Sequence, residues 1–145
     1  MAAIDESHIP GLLDALSPDF YVDESALRRA IRGKRSTNLL HQETLVKVDL
    51  FVAGATPLDD QQIARRQAVT LDGRTIYVHS AEDILLQKLL WFRNGSVSDR
   101  QWRDILAIVR VQGDRLDAAY LRLHADAVGV ADLLDRAPSE GAAPA

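Results

Sequence analysis

The chain contains no cysteine, which excludes disulfides, thiolate zinc sites and cysteine nucleophiles. No apolar run approaches the roughly 20 residues that a membrane-spanning helix needs. The start, MAAIDESHIP, lacks the basic-then-apolar order of a signal peptide. A cytoplasmic protein with no membrane partner is therefore expected. Histidine is scarce, with four in all and no two at a metal-ligand spacing of a few residues. There is no Walker-type loop, no dinucleotide fingerprint, and no Ser-His-Asp arrangement that spacing can support. Nor is there an excess of basic charge. With 17 basic against 21 acidic residues, a whole-surface nucleic-acid binder is disfavoured, although a local basic patch is allowed.

What is present is an ordinary globular composition, 47% hydrophobic and 26% charged over 145 residues, enough for one domain with a real core. The segment IPGLLDALS predicts a short helix over residues 9–17, followed by an extended piece, Phe20-Tyr21-Val22. Asp23 reads as the N-cap of a helix ending near Gly33. Its late basic residues, Arg28, Arg29, Arg32, Lys34 and Arg35, suit the negative end of the helix dipole and read as a solvated helix end in the first place, or as contacts to the phosphates of an acceptor. Two strands, Ser36–His41 and Leu45–Val52, are spaced for a hairpin. After a helical stretch opened by Pro57, two more, Ala68–Leu71 and Arg74–His79, flank Asp72-Gly73, the strongest hairpin signal in the chain.

From Ser80 onward the pattern is helical. Ser80 with Asp83 and Ser98 with Gln101 stand at capping-box spacing and start helices over 81–93 and 99–112. A third helix, about 115–128, and a short fourth follow. Residues 138–145 have the composition of a disordered tail. The expected organisation is thus a single domain over 1–137, with a sheet part to about residue 79 and a helical part from 80. The fold class is α+β, a small mixed sheet of all five strands followed by a C-terminal helical bundle.

Three polar residues stand out against this apolar pattern. Asp49 lies in the middle of LVKVDLFV, where Val46, Val48, Leu50 and Val52 share one face of the strand and Lys47, Asp49 and Phe51 the other. Ionisation there calls for a cation or donor opposite it. Lys88 interrupts AEDILLQKLLWFR between Ile84 and Phe92, inside the apolar arc of the helix. Either its stem packs and its ammonium snorkels to water, or it is a ligand for phosphate or a carboxylate. Asp104, on a helix whose main stripe is Trp102, Ile105, Leu106 and Val109, can form a structural ion pair with Lys88 or Arg100.

Taken in order, FYVDESALRRAI, NLLHQETLVKVDLFV, IYVHSAEDILLQKLLWFR and VSDRQWRDILAIVRVQGDRLDAAYL resemble the nucleotidyltransferase superfamily, in particular the small bacterial AbiEii-type branch that includes toxins of toxin–antitoxin systems. The resemblance covers about residues 9–137. It implies a nucleotidyltransferase-like fold and transfer of a nucleotidyl group from a nucleoside triphosphate to an RNA or protein hydroxyl. Asp49 would be the third acid of a magnesium site, and so both catalytic residue and metal ligand. Lys88 would contact the nucleotide phosphates and Asp104 would support the site.

The chain departs from the family at one place. The Gly-Ser turn followed by Asp-x-Asp or Asp-x-Glu, which holds the two magnesium ions, has no counterpart. Asp5-Glu6, Asp23-Glu24, Asp59-Asp60 and Glu82-Asp83 are adjacent pairs, and Gly95-Ser96 lies between two late helices. A misplaced start, loss of the metal pair, or supply of the missing strand by another subunit would each account for this. In all three cases the chain by itself is expected to lack catalysis, and magnesium would be held only where the acid pair is supplied. The alternative reading is a non-catalytic nucleotide-binding or protein-interaction module in which Lys88 and Asp104 form a structural pair. An uncovered sheet edge would suit a homo-oligomer or an antitoxin partner.

Overall fold

The computed structural model describes residues 1–54, 56–95 and 98–141. Ser96 of the Gly95-Ser96 step and residues 142–145 of the expected tail lie outside the described residues. The fold is α+β, with seven helices and two small antiparallel sheets among the described residues. The chain divides into two compact units, Met1–Ala64 and Arg65–Ala145.

In the first unit α1 (Ile9–Leu16) leads to β1 (Phe20–Val22), α2 (Glu24–Gly33), β2 (Ser36–His41), β3 (Lys47–Phe51) and α3 (Pro57–Ala64). Asp23 caps α2 as its sequence predicts, its carboxylate accepting from the Ala26 N–H at 2.9 Å. The helix ends at Lys34, a non-glycine residue in the left-handed region at φ +48°. The three strands pair in the order β1-β2-β3, all antiparallel, with Asn38 opposite Asp49. The core gathers Ile9, Leu27, Ala30, Ile31 and Val52, with Leu12, Leu13, Val22 and Leu50 packed around it.

Helix cover reaches only one end of β3. Val52 is buried and Leu50 half-buried, whereas Val46 and Val48 are exposed. The edge of β3 is closed at that same end by a one-residue parallel bridge between Ala2 and Val52. Along the rest of the strand the exposed Lys47 and Asp49 supply the charges that commonly guard an edge.

The second unit contains β4 (Gln67–Leu71), β5 (Arg74–Val78) and four helices: α4 (Ala81–Arg93), α5 (Asp99–Gln112), α6 (Ala118–Val128) and α7 (Ala131–Gly141). Asp72 and Gly73 both have positive φ, 49° and 74°, the geometry of a type I′ turn and the reason this dipeptide marks a hairpin. The single mixed sheet expected from the sequence is not formed. The β4–β5 hairpin is a separate two-stranded sheet, and among the described residues the paired strands are all antiparallel. Alternating strand patterns show that strands exist but not which ones pair, because pairing is a non-local choice.

The helices pack through Leu85, Leu86 and Leu89 of α4, Trp102 and Ile105 of α5, Leu121 and Ala125 of α6 and Leu134 and Ala137 of α7. Pro138 does not begin a disordered tail, since α7 runs through it to Gly141. The last turns have a tertiary anchor that composition cannot reveal. The Trp102 indole N–H donates to Glu140 at 2.6 Å, Arg136 pairs with Glu140, and the Arg136 guanidinium lies 4.3 Å from the Trp102 ring centroid.

Candidate functional site

Ser80 and Ser98 accept from the N–H groups of Asp83 and Gln101, both at 3.2 Å, and so fix the starts of α4 and α5. The buried leucine line of α4 is Leu85, Leu86 and Leu89, which leaves Lys88 half-buried beside it. Its stem packs and its ammonium emerges toward α5, where Nζ donates to Asp104 Oδ2 at 2.9 Å. The two side chains retain 26% and 49% of their exposure, so the pair is a surface feature and not a buried ion pair. The hydrogen bond from Lys88 holds the Asp104 carboxyl below its ordinary value, with its positive charge and those of Arg100 and Arg103 acting in the same direction.

Lys88 is thus the cation in contact with Asp104, and Arg100 and Arg103 add positive charge to the helix that carries Asp104. Lys88 spends one ammonium hydrogen on Asp104, and an ammonium has three to give. Arg100 and Arg103 are exposed. A phosphate oxygen can be bound there by charge-assisted hydrogen bonds without displacing any buried group.

Asp49 belongs to the other unit. Its side chain is exposed on β3, and its cross-strand neighbour is Asn38, a neutral residue. The expectation that Asp49 needs a cation or donor opposite it is corrected here, because Asp49 and its same-face neighbour Lys47 are exposed and water solvates the carboxylate. Among the described residues no three His, Asp or Glu side chains stand together as a metal-binding group. Two divalent ions about 3.5–4 Å apart require several carboxylates, and Asp49 supplies one. The residues present do not by themselves make up a two-magnesium site.

The acid that is buried is Asp83, with no exposed surface, in the first turn of α4. One carboxylate oxygen accepts from the Tyr120 hydroxyl at 2.7 Å, and the other lies 3.8 Å from Arg65 Nε. The Arg65 guanidinium also covers the Tyr120 ring at 3.6 Å, and the His124 ring packs against Tyr120 at 4.2 Å. Burial, together with the hydrogen bond to Asp83 and its charge, pushes the Tyr120 phenol well above its ordinary value and keeps it protonated. Beside Asp83 in α4, Glu82 accepts from the Asp117 N–H at 3.1 Å and ties the start of α6 to the start of α4. In the sequence Asp83 stands out only as the partner of a capping serine. The available signal was an acid at the third helical position, where the buried leucine pattern begins.

A separate cavity of ≈ 530 Å³ in this unit is lined by Leu85, Leu121, Leu134 and Pro138, with Arg122 and Asp135 also among its walls. It contains neither Lys88 nor Asp104. Comparison of the chain with protein-family models, curated proteins and solved structures finds no match in any of the three.

Proposed function

We propose that this chain is a nucleotidyltransferase-like module that binds the phosphates of a nucleotide and does not by itself transfer the nucleotidyl group. One observation carries the binding half of the reading. Lys88 donates to Asp104 at 2.9 Å on a face that remains open to solvent, and the charges of Arg100 and Arg103 act on the same carboxylate. The ligand class is a nucleoside triphosphate, with Lys88 on its phosphates and Asp104 holding the ammonium toward them. The donor set supports the non-catalytic half of the reading. Asp49 is exposed on β3, and among the described residues no group of acids joins it, so in this reading magnesium enters with the nucleotide or with an acid pair supplied from elsewhere. In this reading the family's RNA acceptor and antitoxin are partners of a complete assembly, and this chain contributes the phosphate-binding face.

The test is calorimetric titration of ATP with magnesium into the intact chain. Lys88→Ala is expected to weaken binding about tenfold, the loss of one charge-assisted contact, while Asp49→Ala leaves it unchanged. Equal affinity in wild type and Lys88→Ala defeats the binding reading. Transfer of an α-phosphate label to RNA by the chain alone, abolished in Asp49→Ala, would replace it with an active enzyme.

A further inference from the structure

The first unit contains a second concentration of positive charge, and its parts are not equivalent. Arg28 pairs with Glu24 at 2.7 Å and also lies near Glu6, and Arg32 pairs with Glu6. Arg29 and Arg35 enter no ion pair among the described residues. Both line a groove of ≈ 460 Å³ between the last turns of α2 and the start of β2, shared with Ala26, Gly33, Ser36 and Thr37. No carboxylate is among its lining residues.

The backbone adds a donor. The Val52 N–H donates to the Arg35 carbonyl at 3.1 Å and the His41 N–H to the Val46 carbonyl at 2.9 Å. With an unbroken β2–β3 register between them, the odd-numbered residues of β2 bond across to β3. Ser36 and Asn38 then present their N–H groups on the opposite edge. β1 covers that edge only from Leu39 onward, so the Ser36 N–H is left open beside the groove. Two carbonyls in the last turn of α2, those of Ala30 and Ile31, already accept from the N–H groups of Lys34 and Arg35.

We propose that this groove is a binding site for a single phosphate group of a small phosphomonoester. Arg29 and Arg35 would clamp the phosphate oxygens, with the Ser36 N–H as a further donor beside them. A small ligand is favoured over a polyanion because acidic residues outnumber basic ones in Met1–Ala64, so the unit as a whole repels an extended phosphate backbone. The site is independent of the Lys88 face.

Amide and arginine Nε spectra of the intact chain during titration test the proposal. The probes are inorganic phosphate, adenosine monophosphate and a short single-stranded RNA, at constant ionic strength with chloride as control. The expected result is saturable shifts at Arg29, Arg35, Ser36 and Thr37 with phosphate and with the monophosphate. These shifts should need about tenfold more ligand in Arg35→Ala and in Arg29→Ala, and should be unchanged in Lys88→Ala. Shifts that grow with concentration without saturating overturn the proposal. So does saturation at these amides by the RNA alone. Amides of the α4–α5 face report the nucleotide site in the same spectra, so either site can fail while the other stands.

Discussion

Two acids, Asp49 on β3 and Asp83 at the start of α4, sit in opposite environments. Asp49 is bracketed by apolar residues in the sequence and by water in the fold, since the helices of its unit cover only the Val52 end of the strand. Asp83 follows a glutamate in a polar helix start, and it is fully buried against Tyr120 and Arg65. The apolar context of an acid in sequence thus says little about its solvation. What decides is whether another element covers it. A carboxylate under cover needs compensation, and Asp83 has the Tyr120 hydroxyl on one oxygen and the Arg65 charge near the other; a carboxylate in water needs neither.

Replacing Asp83 tests that contrast most strongly. Asp83→Ala leaves the Tyr120 hydroxyl and Arg65 without their acceptor, and the expected loss is about 3 kcal/mol in urea unfolding. A loss below about 1 kcal/mol would mean that the buried acid matters no more than a surface one. Tyr120→Phe removes a single donor from the buried carboxylate and should cost about 1–2 kcal/mol by the same measurement.

A smaller effect comes from His79, whose Nδ1 is buried with no hydrogen-bond partner among the described residues. Burial lowers the His79 pKa in the fold below its ordinary 6.5, although the charge of Asp83 opposes the shift. The unfolded chain therefore takes up the proton first on acidification. Stability should fall as pH drops through about 6.5, until the folded value is also passed. The fall in urea midpoint between about pH 7.5 and about pH 5.5 should shrink in His79→Asn. Asp49→Ala completes the comparison, with an expected change within about 0.5 kcal/mol. A larger loss there would give the strand acid a structural partner and erase the distinction.

The sequence was most readable where structure is local. Asp23, Ser80 and Ser98 cap the helices they precede, and Asp72-Gly73 turns the hairpin, because each needs only neighbours within three or four residues. The partner of Lys88 was legible as well, as one of two candidates for Asp104. What could not be read depends on distant contacts: the separation of β4–β5 from the three-stranded sheet, the cover over Asp83, and the continuation of α7 through Pro138. That last turn is held by Trp102, 38 residues away from Glu140 in the chain. Composition places Pro, Ser, Glu and Gly together and suggests a loose end, yet an indole donor and a guanidinium fix them in a helix.

The β4–β5 ribbon has a further consequence. All of β4 and all of β5 except Val78 are exposed, so the pair rests on its turn, its ladder and the Arg66 guanidinium over Tyr77. A ribbon held this way opens without disturbing the leucine layer of the helices, and its amides exchange with solvent far sooner than theirs. A protease would find extended backbone there while the bundle stayed folded, and among the described strands and helices of Arg65–Ala145 the first to be nicked would be those between Gln67 and Val78.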